Sequence, residues 1–168
     1  MADIRIETGN RDDAFEVRRV VFIEEQGYEN EYDELDEDPG CVHVTLYVDG
    51  RLAACARTFS HATELAVAGD ATGVHALPAC DFDVSATDET TYVLGRVAVL
   101  PGYRRQGLAS KIIVASEDAA RMAGACVMKL HAQEYVRDLY GQLGYVQISE
   151  VDYEDEGQPH LWMAKSLL

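Results

Sequence analysis

The sequence predicts a mixed α/β fold, with one sheet of mostly short strands flanked by helices. Three observations carry that expectation. Apolar spacing changes along the chain in the order β-α-(α)-β-β, an illegible stretch, then β-α-β-α-β-β. An Asp49-Gly50 dipeptide between two strand-like runs is a strong hairpin signal. Residues 92–124 read as a strand, a Pro-Gly break and a long amphipathic helix. No repeat or linker interrupts the 168 residues, so one domain spanning 1–168 is expected, large enough for a sizeable core.

Residues 4–8 alternate Ile4 and Ile6 with Arg5 and Glu7, a short half-buried strand. Asn10 can cap a helix with an acidic first turn (Asp12, Asp13), running to about Phe22 or Gln26 with Ala14, Val17, Val21 and Ile23 inward. Residues 27–39 are acidic and broken by Gly and Pro, an irregular surface segment with tyrosines packing down. Its Glu31, Asp33, Glu34 and Asp36 read as a solvated acidic face, with attraction of an ammonium group as the alternative. Runs 41–48 and 52–59 form the hairpin. Residues 60–90 exceed ordinary loop length, so they contain a short element or an inserted loop.

The stretch that organises the chain starts with the β-branched, apolar run 92–100, a buried strand. Pro101-Gly102 ends it. From Leu108 the spacing turns helical, putting Leu108, Ile112, Ala115, Ala119 and Met122 on one face, with Gly124 as the C-terminal glycine. A strand, a glycine turn and a helix N-terminus make an anion site, because first-turn N–H groups lack partners and carry the positive end of the dipole. Gly107 has no Cβ to keep a phosphate from that backbone. There is no Gly-Lys-Ser/Thr as in a P-loop and no GxGxxG fingerprint. Residues 126–132 then read as a strand, 135–143 as a helix halted by Gly144, and 145–153 with 160–166 as a final antiparallel pair around Asp155-Glu156-Gly157.

The totals narrow the function. Thirty acidic against fourteen basic residues argue against nucleic-acid binding and docking on an anionic membrane. They suit a cationic substrate, a solvated acidic surface or salt adaptation. Cys41, Cys55, Cys80 and Cys126 show no CxxC pair and no metal-ligand spacing. Without a signal-peptide pattern they are expected as reduced thiols of a cytoplasmic protein. No apolar run nears the roughly 18 residues of a membrane span.

Arg104-x-x-Gly107-x-Ala109, after Val97-Ala98-Val99-Leu100-Pro101, resembles the acyl-CoA signature of the GNAT (Gcn5-related) N-acetyltransferases: Arg or Gln, two residues, Gly, one residue, Gly or Ala. Family members commonly continue with Asn-x-x-Ala-x-x-x-Tyr-x-x-x-Gly-Phe. Here Tyr140, Gly144 and Tyr145 match, while Gln133 replaces Asn and Val136 replaces Ala. Further runs look like the ElaA-type branch: residues 18–26, Leu130-His131-Ala132-Gln133 and Gly157-Gln158-Pro159-His160, with Asp36 and His43 where that branch often has Asp and His.

The resemblance implies an acyl-CoA N-acyltransferase fold, with a mostly antiparallel mixed sheet whose two parallel strands splay apart. It implies acetyl transfer from acetyl-CoA, leaving CoA, to a primary amine of a small molecule or peptide by direct attack in a ternary complex. Backbone groups of Val97, Ala98 and Val99 would meet the pantetheine, with Gln133 at the position of the family's asparagine. N–H groups from Arg104 through Arg105, Gln106, Gly107 and Leu108 to Ala109 would hold the pyrophosphate, with Arg104 or Arg105 adding charge. No metal is implied. Tyr140 would protonate the departing thiolate, or else only pack beside the cofactor. For the base, His131 is the best placed; Glu134, His160, Glu25 and a water chain stay open, and each side chain could equally be structural. The alternatives in other classes are a non-catalytic acyl-CoA sensor and an acidic interaction module. Dimers are common among proteins resembling this one, so a homodimer is compatible.

Overall fold

The computed structural model describes residues 1–68 and 86–168. Seven strands form one sheet: β1 (Ile4–Thr8), β2 (Val42–Val48), β3 (Arg51–Ser60), β4 (Thr91–Val99), β5 (Val127–Gln133), β6 (Val146–Gln147) and β7 (His160–Ser166), in spatial order β1-β2-β3-β4-β5-β7-β6. Every neighbouring pair is antiparallel except β4 with β5. The expected mixed, mostly antiparallel sheet is therefore the fold.

Helix α1 (Arg11–Arg18) begins where the Asn10 side chain accepts from the Asp13 N–H at 3.1 Å, and its path continues as a π-helical stretch, Arg19–Glu25. Ala14, Val17 and Val21 point inward as expected, covering one face of β3 and β4 through Cys55 and Ala98. The 3-10 turn Glu34–Glu37 follows. The β2–β3 hairpin turns on Asp49 and Gly50, both left-handed (φ +50° and +81°), the turn that matches strand twist. Helix α2 (His61–Ala68) is the short element within 60–90; residues 69–85, including Cys80, lie outside the described residues.

Helix α3 (Leu108–Met122) covers the opposite face of the sheet, with Leu108 and Ile112 against Ala54, Leu94 and Met128. Its inward face differs from the expected one. Met122 is 91% exposed, whereas Glu117 is 2% exposed. Glu117 is held beneath the helix by the Tyr145 hydroxyl at 2.8 Å and Lys165 Nζ at 3.0 Å, and that buried carboxylate rotates the packed stripe. Helix α4 (Arg137–Gln142) follows a 3-10 turn, Glu134–Val136.

Two strand expectations are corrected. Ile6 is 39% exposed, because β1 is an edge strand with little above it. The strand expected over 145–153 pairs only at β6 and at an Asp152–His160 bridge. Between them the Ser149 hydroxyl takes the Trp162 N–H at 2.8 Å, displacing the backbone carbonyl that a ladder would need.

Candidate active site

The site is an opening in the sheet. β4 and β5 pair from Thr91–Val127 to Leu94–Leu130 and then part. On the other edge of β4, Cys55 faces Ala98 and Arg57 faces Gly95, so Arg96 and Val97 share Ala56. That is a β-bulge, and Arg96 adopts φ +53° to make it. The bulge bends β4 away from β5, which leaves a cavity of about 880 Å³. Val97, Ala98 and Val99 line one wall; His131 and Gln133 line the other; Tyr140 and Leu139 of α4 border it.

At the Val99 end the cavity reaches the start of α3. Gly107 has φ +74°, no side chain caps the helix, and a Cβ built on Gly107 meets nothing within 4 Å. The first-turn N–H groups are thus open to an anion, and this backbone fits a pyrophosphate. Arg104 and Ala109 line the cavity; Arg105, Gln106, Gly107 and Leu108 lie outside its lining. Leu108 is buried in the core, so only its backbone can serve a ligand. Arg104 already has partners: Nη1 and Nη2 donate to Glu25 at 2.7 and 2.6 Å, and Nε donates to the Val99 carbonyl at 3.0 Å. That clasp holds the Glu25 carboxyl below the usual range.

Tyr140 is 7% exposed and packs edge-on against Tyr145, ring centroids 5.7 Å apart. Burial pushes its pKa far above the ordinary tyrosine value, so it stays protonated at any working pH. Its hydroxyl has no hydrogen-bond partner among the described residues. Gln133 donates from Nε2 to Gln26 at 2.9 Å and to the Tyr28 hydroxyl at 3.0 Å, tying β5 to the segment after α1. Burial, then Asp155, pushes Tyr28 up to about 12.

The far end of the cavity collects His131, His160, Glu31, Arg96 and Asp155. His131 Nε2 lies 2.9 Å from Asp152, and its ring stacks on His160 and Trp162. Burial lowers the His131 pKa and Asp152 pulls it back up, with a net downward direction. His160 Nδ1 donates to the Gln158 carbonyl at 2.9 Å. Glu134 lines the cavity half-buried, whereas Glu25 is committed to Arg104.

Part of the acidic segment is not a solvated face. Glu31 and Asp36 are each 3% exposed. Arg18 donates to both, at 2.8 Å to Glu31 and 2.7 and 2.9 Å to Asp36. Arg57 bridges Asp33 and Asp36, and Arg96 reaches Glu31 at 3.0 Å. Three guanidinium groups thus meet three carboxylates at and behind the far end of the cavity, tying the bulge to the segment that follows α1. Burial would raise the Asp36 carboxyl, but Arg18 and Arg57 hold it well below the usual range. A hint in the sequence is Arg57, the one charge in the largely apolar run 52–59. Asp36, Cys41 and His43 also bring buried donor atoms within 4.8 Å of one another. Both Asp36 oxygens are already taken by guanidinium groups, an arrangement that opposes a cation.

No helix among the described residues is long and apolar enough to cross a membrane. A family model described as an acetyltransferase (GNAT) domain matches residues 83–167. The uncharacterized N-acetyltransferase YjcF of Bacillus subtilis is 32% identical over 155 residues, covering 91% of this chain and 90% of that protein. The fold is shared with Escherichia coli ElaA at TM-score 0.71 and 20% identity, over 98% of this chain and 99% of that one. It is shared too with an aminoglycoside 6′-N-acetyltransferase solved with coenzyme A, at TM-score 0.66 and 14% identity, over 98% and 97% of the two chains.

Proposed function

Because the chain belongs to the GNAT acetyltransferase family, we propose that it moves an acetyl group from acetyl-CoA to a primary amine of a small molecule or peptide, by direct attack in a ternary complex. The observation that carries this reading is the cavity between β4 and β5, which runs from an uncapped helix N-terminus to a pair of histidines. Residues 1–168 act as one domain in this reading. It takes the protein as cytoplasmic and is compatible with a homodimer.

The residues present fit the donor. First-turn N–H groups of α3, with the backbone of Arg104 to Ala109, would hold a pyrophosphate, and Arg104 or Arg105 would add charge. Backbone groups of Val97, Ala98 and Val99, left without β5 partners beyond Leu94, would receive the pantetheine amides. Gln133 stands at the position of the family's asparagine. When bound, acetyl-CoA supplies an activated carbonyl carbon and a thiolate leaving group. A backbone N–H of the bulge would polarise that carbonyl, and one such donor is typically worth about 100- to 1000-fold in rate. Tyr140, protonated and facing the cavity, gives the thiolate its proton. His131 takes the proton of the acceptor ammonium.

Thermal unfolding with acetyl-CoA, CoA and ATP tests the reading. Ligand at a hundredfold excess over Kd stabilises the fold by about 2.7 kcal/mol, several degrees at this size. A shift with both CoA forms and little with ATP, followed by CoA release in a primary-amine screen, is expected. No shift near millimolar acetyl-CoA would overturn it, and a shift without turnover for any amine would favour a CoA-binding sensor.

A further inference from the structure

We propose that Gln133 is a positioning residue for the acceptor: from the end of β5 its carboxamide braces Gln26 and Tyr28, and so holds the Tyr28 phenol in the wall that the incoming amine meets. This rests on the reading of the cavity as the transfer site and names what shapes its acceptor half.

The direction of Gln133 follows from strand alternation. Met128, Leu130 and Ala132 of β5 pack into the core beneath α3, so His131 and Gln133 lie on the opposite face. That is the face α1 covers, where Phe22 packs with Cys55 and Ala98 and Tyr28 lies against them. The β4–β5 ladder ends at Leu94 and Leu130, so no backbone bond joins these two strands at the level of Gln133. The side chain crosses the gap instead. Its Nε2 donates to Gln26 Oε1 at 2.9 Å and to the Tyr28 hydroxyl at 3.0 Å. A carboxamide nitrogen carries two hydrogens, and both are engaged.

The two sides of this brace differ in stiffness. Gln133 stands opposite His160 in the β5–β7 ladder, and the Glu134 N–H meets the Pro159 carbonyl at 2.9 Å. The segment it grips has less backbone support. The N–H groups of Gln26, Gly27 and Tyr28 donate to Val21, Ile23 and Phe22, Gly27 turns the chain at φ +76°, and the next helical turn starts only at Glu34. Side chains therefore hold the stretch between. Arg104 holds Glu25 at the anion end of the cavity, while Arg18 and Arg96 hold Glu31 at the far end. Gln133 grips the segment between those two points.

Tyr28 belongs to the acceptor half. Its hydroxyl feels the charges of Asp155, Glu156 and Glu31, and the Asn30 N–H faces Glu156 Oε1 at 3.5 Å. All of these residues line the cavity. The donor takes the opposite end, along Val97 to Val99 and the start of α3, so the wall around Tyr28 is left to the amine. The Tyr28 ring stacks on Phe22 with centroids 6.0 Å apart, which sets its plane, and the Gln133 amide sets its oxygen.

Backbone hydrogen exchange on the ligand-free chain tests the brace in the wild type, Gln133→Ala and Tyr28→Phe. In Gln133→Ala the peptide covering residues 26–31 should exchange about fivefold faster or more, with β5 and β7 unchanged. Kinetics with the amine that the screen selects test its role. Gln133→Ala should raise KM for the amine about fivefold or more, with kcat and the acetyl-CoA Kd within about twofold. Tyr28→Phe keeps the ring on Phe22 and should raise the same KM. The double variant should be no worse than the poorer single one, because both remove one contact. Unchanged exchange, additive effects, or a tenfold loss of acetyl-CoA affinity with an unaltered amine KM would each overturn the proposal, the last by placing the amide on the donor. Exchange needs no turnover. Faster exchange in a chain that releases no CoA with any amine would therefore count against the acetyltransferase reading and not against the brace.

Discussion

Arg104 grips Glu25 through two hydrogen bonds of 2.7 and 2.6 Å while its Nε donates to the Val99 carbonyl. One guanidinium thus ties the π-helical stretch after α1 to the strand and loop that face the donor. A pyrophosphate that recruits this arginine has to take it from a carboxylate. The pair is about 40% exposed on both sides, which limits its strength. Glu25→Gln is therefore expected to tighten CoA binding by about two- to fivefold, and Arg104→Gln to weaken it. Calorimetric titration decides, and weaker binding in Glu25→Gln would show that the clasp closes over the donor rather than competing with it.

Tyr140→Phe removes one oxygen and keeps the ring that packs on Tyr145. The expected result is a kcat at least tenfold lower, with CoA affinity and melting temperature nearly unchanged. Near-normal turnover would return Tyr140 to a packing role.

What could be read from the sequence was local. Pro101, Gly107 and Gly124 bracket α3 because turn and cap geometry impose residue types at fixed spacing. Tyr140 stood out by its distance from Gly144. Asp152 did not, because 21 residues separate it from His131 and only the strand order brings them together. The Arg18–Asp36–Arg57 contacts were hidden for the same reason, since composition registers charges and not their partners. Glu117 shows the converse case: a helical wheel assigns a carboxylate to solvent unless Tyr145 and Lys165 are known to lie beneath it.

The buried ion cluster gives a pH signature. In the folded chain the Asp36 carboxyl lies below its unfolded value, so it adds stability above the ordinary aspartate range near 3.9. That contribution is lost as pH falls through the unfolded and then the folded pKa. Asp36→Asn leaves Arg18 and Arg57 under-compensated in the interior, which typically costs about 3–5 kcal/mol. Melting curves should show a large wild-type advantage at pH 7 that begins to shrink below about pH 4. A gap independent of pH would mean that Asp36 acts through packing alone.

Gly107 separates binding from folding. Its φ of +74° disfavours a side chain, yet a Cβ there would touch nothing within 4 Å. Gly107→Ala should therefore lower stability only by about 1 kcal/mol, the usual cost of left-handed backbone. The added methyl would stand against the uncapped first turn of α3, where the donor's anion has to come close to the N–H groups. CoA affinity should fall by about tenfold or more, with a melting temperature only a few degrees lower. If affinity falls no further than the loss of stability explains, the anion is held elsewhere, and the side chains of Arg104 and Arg105 become the place to look.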